Sequence, residues 1–127
     1  MKHTLKDYEA VVGNNAISQL RQVSRELAGS RVVHVNSTKV GGGVAEILSW
    51  LVPLMNELGL ETSWEVVTGT PEYYNTTKTF HNGLQGNEVV LPKYMLDTYE
   101  STVAENAEKL RPKLEAADFV FIHDPQP

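Results

Sequence analysis

The stretch Val32-Val33-His34-Val35-Asn36-Ser37-Thr38-Lys39-Val40-Gly41-Gly42-Gly43-Val44-Ala45-Glu46 constrains this chain more than any other. It reads as a buried, β-branched strand, then three consecutive glycines, then the start of a helix. Glycine has no Cβ, so it adopts left-handed backbone conformations freely and lets a ligand come close to the main chain. The first N–H groups of a helix lack intrahelical partners and sit at the positive end of its dipole, so they attract anions. A strand–glycine–helix junction therefore suits a phosphate or a sugar. The same triplet also fits a second reading, a tight turn that brings a helix close to its strand. It matches neither a dinucleotide fingerprint nor a phosphate loop ending in Lys-Ser/Thr, so it names no nucleotide.

The periodicity on either side sets the fold class. Residues 1–12 read as a short extended piece or a loop over the core. A helix starts at Asn14 or Asn15, with Ile17, Leu20, Val23 and Leu27 at helical spacing and Gly29 as its stop. Arg31 to Asn36 is the first strand. Val44 to Leu58 is a helix with a wide apolar face (Ile47, Leu48, Leu51, Leu54, Met55 and Leu58), and Pro53 inside it predicts a kink or one lost hydrogen bond. Thr62 to Val67 is the second strand. Pro71 suits a first helical turn, and Tyr73 to Leu84 continues it. Pro92 to Leu110 is a long helix with Met95, Tyr99, Val103 and Leu110 as contact positions, and Phe119 to His123 is the last strand. Strands separated by helices pair in parallel through right-handed crossovers. The expectation is a Rossmann-like, three-layer α/β/α domain with a parallel sheet over residues 1–127, its ligand at the carboxyl ends of the strands. Three strands make a small sheet with an uncovered edge, which offers a route to self-association.

Composition narrows the function. A chain of 127 residues with 41% hydrophobic and 21% charged residues supports one globular domain. A net charge of -5 argues against nucleic acid as a partner. There is no cysteine, which excludes disulfides and thiolate chemistry. The N-terminal residues lack an apolar signal core, and no apolar run is long enough for a bilayer, so a cytoplasmic, membrane-free protein is expected.

His123-Asp124-Pro125-Gln126-Pro127 follows the last strand, on the rim where the glycines also fall. An imidazole donates to a hydroxyl and a carboxylate accepts from one, so the pair suits sugar recognition; a strand end with a proline-rigidified turn is the plainer reading. Phe80-His81-Asn82-Gly83-Leu84-Gln85-Gly86 mixes a ring, an imidazole and two amides, as a sugar site needs, though a capped helix end has the same composition. His34, His81 and His123 lack metal-ligand spacing, so no metal and no cofactor is assigned. No serine nucleophile elbow is present.

Three blocks, in order, resemble one family. Val35 to Leu48 is similar to the N-terminal glycine loop of the trehalose glycosyltransferring synthases of retaining glycosyltransferase family 4. Thr77 to Asn87 and Val120 to Pro127 resemble two further blocks of it. The resemblance implies an incomplete N-terminal, acceptor-side domain of a GT-B enzyme, the donor-binding domain being absent. It implies transfer of glucose from a nucleotide-glucose to glucose, forming trehalose with retained configuration, by an enzyme of which these residues alone lack substantial donor affinity and turnover. Gly41, Gly42 and Gly43 would approach the donor phosphate or the sugars, and His123 would touch a sugar near the reacting centre. Asp124, Gln126, His81, Asn82 and Gln85 would contact hydroxyls. The alternatives are a non-catalytic sugar- or nucleotide-binding module, a self-associating one, or part of a trehalose phosphorylase-like enzyme.

Overall fold

A computed structural model describes residues 4–123 and residue 127. The chain runs α1 (Leu5–Ser24), a 3-10 turn (Arg25–Leu27), β1 (Arg31–Asn36), α2 (Gly43–Glu57), β2 (Glu61–Val66), α3 (Pro71–Leu84), α4 (Lys93–Glu115) and β3 (Phe119–Ile122). The three strands form one parallel sheet in the order β2-β1-β3, with His34 opposite Trp64 on one side and Phe121 on the other. The crossover through α2 runs one way from β1 and the crossover through α3 and α4 runs back the other. Right-handed connections then put these helices on opposite faces, giving the three-layer α/β arrangement.

Successive strand residues point to opposite faces. Val33 and Val35 of β1 meet Val67, Tyr73 and Leu110, with Tyr99, Val103 and Leu114 packed against them. Met95, Tyr99, Val103 and Leu110 thus line the inner side of α4, as their spacing predicts. Tyr73 is 0% exposed and stacks on Tyr99; burial, then the neighbouring phenols of Tyr99 and Tyr74, push its own phenol up to about 12. Val32, His34 and Asn36 occupy the other face. There Leu48 of α2 is 0% exposed. α2 runs through Pro53 uninterrupted, so the proline's cost is its missing N–H.

The N-terminal segment departs from expectation. Residues 5–12 are helical, not extended. The Asp7 carboxylate accepts from the N–H and the hydroxyl of Thr4, the acidic half of a capping box, and Glu57 of α2 accepts from the Leu5 N–H at 2.8 Å. Gly13, with φ 81, breaks α1 in two, and its second half begins where the helix at Asn14 was expected. Of that half's apolar stripe only Ile17 is buried; Leu20, Val23 and Leu27 are exposed.

Candidate functional site

The carboxyl ends of β1 and β3 lie side by side. Val35 pairs with Ile122, and the His123 N–H donates to the Val35 carbonyl at 2.9 Å. The glycine loop leaves β1 and His123 leaves β3 at the same edge of the sheet.

Short-range side-chain bonds shape the loop. Buried Asn36 accepts from the Ser37 N–H at 2.8 Å and donates to the Thr38 carbonyl at 3.0 Å. The Thr38 hydroxyl donates to the Val40 carbonyl and accepts from the Val40 N–H. Gly41 and Gly42 follow with φ 78 and 82, a region that strains any residue with a Cβ. Gly43 is different. It starts α2, its φ is not positive, and a Cβ built on it meets nothing within 4 Å. Among the described residues no side chain caps α2, so its first N–H groups lie at an open cleft of about 220 Å³ lined by residues 36–38 and 41–45.

A second open cleft of about 340 Å³ adjoins the first through Ser37 and Thr38 and is completed by Tyr74, Thr77, Lys78 and His81 of α3. His81 therefore shares the rim with the glycine loop. Asn82 lies further along α3 and Gln85 just past its end, and neither is among the residues lining this cleft. Asp124 and Gln126 lie outside the described residues. Lys78 places a cation one helical turn before His81; the i, i+3 spacing is the signal that could have found it. A smaller hollow of about 130 Å³ between α4 and the sheet, beside Val35, Leu110 and Ile122, is almost wholly apolar and shares no lining residue with these two clefts.

His123 also meets a partner that the sequence does not single out for this role. Its Nε2 lies 2.9 Å from Nδ1 of His34, which is 3% exposed. The His34 ring stacks on Phe121 at 5.0 Å and lies at 5.1 Å from the His123 ring. Burial first, and the neighbouring His123 second, hold His34 below the usual histidine range. A polar residue at an inward position among valines was the available signal. Among the described residues no three metal-ligating side chains gather, and no helix is long and apolar enough to cross a membrane.

The model of a family described as "Trehalose synthase, N-terminal domain" matches residues 34–127. The chain is 45% identical over 127 residues to a trehalose synthase of Pyrococcus horikoshii, covering 99% of this chain and 30% of that protein. It is 42% identical over 123 residues to a trehalose synthase of Rubrobacter xylanophilus, covering 97% and 30%. It is 30% identical over 134 residues to a trehalose phosphorylase of Pleurotus pulmonarius, covering 96% and 18%. The chain thus spans about a third or less of the length of these relatives.

Proposed function

This chain belongs to the trehalose synthase N-terminal domain family, a glycosyl-transferring family, and from that premise we propose that it forms the acceptor-side wall of a sugar site. In the complete enzyme, of GT-B architecture, glucose passes from a nucleotide-glucose to a second glucose in the cytoplasm. The bond from the anomeric carbon to the donor phosphate breaks, and its electron pair leaves with the phosphate. A bond from an acceptor hydroxyl oxygen to that carbon forms, and the hydroxyl proton goes to the departing phosphate. The chain's task is positioning and stabilisation of charge. Gly41, Gly42 and Gly43 present main chain and a helix N-terminus to the phosphate or sugars. His123 holds a sugar near the reacting centre, with His81, Lys78 and, more weakly, Asn82, Gln85, Asp124 and Gln126 on surrounding hydroxyls.

The observation that carries this reading is Gly43. Neither its backbone angle nor any described neighbour demands a glycine. A ligand resting on the start of α2 does. The test is a transfer assay on the complete enzyme, with nucleotide-glucose and glucose as substrates and trehalose as the measured product. His123→Ala should lower turnover by about 10²-fold or more. No transfer from any of several nucleotide-glucoses would overturn the reading. The 30% identity to a trehalose phosphorylase favours glucose phosphate as the alternative donor, and the same assay run with it decides between them. The isolated chain should show no turnover, and its uncovered strand β3 is the proposed route to self-association.

A further inference from the structure

We propose that His34 is a positioning residue that holds the His123 ring in the tautomer with its proton on Nδ1, leaving His123 a hydrogen-bond donor for a ligand. The argument starts from the 2.9 Å separation of His34 Nδ1 and His123 Nε2. Two facing ring nitrogens this close share one proton, since two would repel and none would leave two lone pairs opposed. With both rings neutral, only two arrangements satisfy this. In one, the His34 Nδ1–H donates, His34 Nε2 is bare, and His123 carries its proton on Nδ1. In the other, His123 Nε2–H donates, His34 carries its proton on Nε2, and His123 Nδ1 is bare. The outer nitrogen of His34 therefore decides what the outer nitrogen of His123 offers.

His34 Nε2 is buried and has no hydrogen-bond partner among the described residues. Its register partner across the sheet is Trp64, on the same face, and Trp64 Nε1 is also buried and unpartnered. An indole nitrogen only donates. Neither nitrogen has a partner among the described residues, so a bare Nε2 leaves an acceptor on the face where the indole is a donor, whereas an Nε2–H would bury a second unsatisfied donor on that face, and orphaned buried N–H groups are the rarer kind. The Thr62 hydroxyl, unpartnered on the same face, donates as readily as it accepts and does not discriminate. Stacking on Phe121 holds the His34 plane. The use of the His123 donor on a sugar hydroxyl rests on the function proposed above; the tautomer does not.

Long-range proton–nitrogen correlation spectra of the ¹⁵N-labelled chain at neutral pH, without ligand, read the tautomer directly. Both rings should show a pyrrole-type Nδ1 and a pyridine-type Nε2, the minority form of free neutral histidine. His34→Asn, whose amide N–H replaces the Nδ1–H, should keep His123 in that form. His34→Leu should return His123 to the Nε2–H form. A pyrrole-type Nε2 on His123 in the unmodified chain, or an unchanged His123 in folded His34→Leu, overturns the inference. If His34→Leu does not fold, the unmodified chain and His34→Asn still decide. Adding glucose and nucleotide-glucose afterwards separates the two claims: the expected tautomer with no sugar-induced shift would contradict the sugar site alone.

Discussion

His34 couples the rim to the stability of the fold. It is held below the ordinary histidine value of 6.5 by burial and by the neighbouring His123. The unfolded chain therefore takes up a proton here before the folded chain does, and stability rises with pH across that window. The His34 contribution is fully present above about pH 6.5 and is lost as the pH falls from there through the lowered value. Thermal unfolding should show Tm falling with acidification in that range, and His34→Asn should flatten that part of the profile. Two glycines give a contrast that separates structure from binding. A Cβ at Gly69 would sit 2.3 Å from Cδ1 of buried Tyr73, so Gly69→Ala should destabilise by ~1–3 kcal/mol in denaturant unfolding. Gly43 has open space, so Gly43→Ala should leave Tm unchanged or slightly raised while weakening sugar binding.

Two asparagines tie helices to the main chain around strand β2. Asn56 of α2 donates to the Thr62 carbonyl at 2.9 Å and accepts from the Thr62 N–H at 2.7 Å. Asn106 of α4 does the same for Thr68, just past β2, at 2.8 and 2.9 Å, and also donates to the Thr102 carbonyl. Asn106→Leu removes both side-chain partners of the Thr68 main chain and should cost ~0.5–1.5 kcal/mol per lost bond, read as a lower urea midpoint. No periodicity marks such residues, because a single polar side chain satisfying a distant backbone has no pattern in sequence. Strand β1 and the start of α3 were legible, since β-branched runs and Pro71 carry local signals. The first half of α1 was not: its capping pair Thr4 and Asp7 precedes a segment with few inward apolar residues, of which only Leu5 is buried. The site was legible as an edge, from the glycine triplet and the strand-terminal His123. The clefts were not, because Ser37, Thr38, Tyr74 and Lys78 meet only once α3 folds back over the rim.

At the scale of the molecule, β3 is the weakly covered part. All four of its residues are between 42% and 55% exposed, although the strand reads Phe-Val-Phe-Ile. An apolar strand at a sheet edge pairs with other chains unless it is covered or charged. Light scattering of the chain should show mass rising with concentration, and Phe119→Lys should suppress it; a concentration-independent monomer would contradict self-association through β3. The same edge delivers His123 to the rim, so association and ligand binding share one boundary of the sheet. The central claim is that this rim holds sugar. The most direct measurement is an amide-shift titration of the ¹⁵N-labelled chain with glucose and with nucleotide-glucose. Shifts should concentrate at residues 37–45, 77–81 and 123. Saturable shifts confined to α1 or the outer side of α4, or no shifts with either ligand, would contradict it.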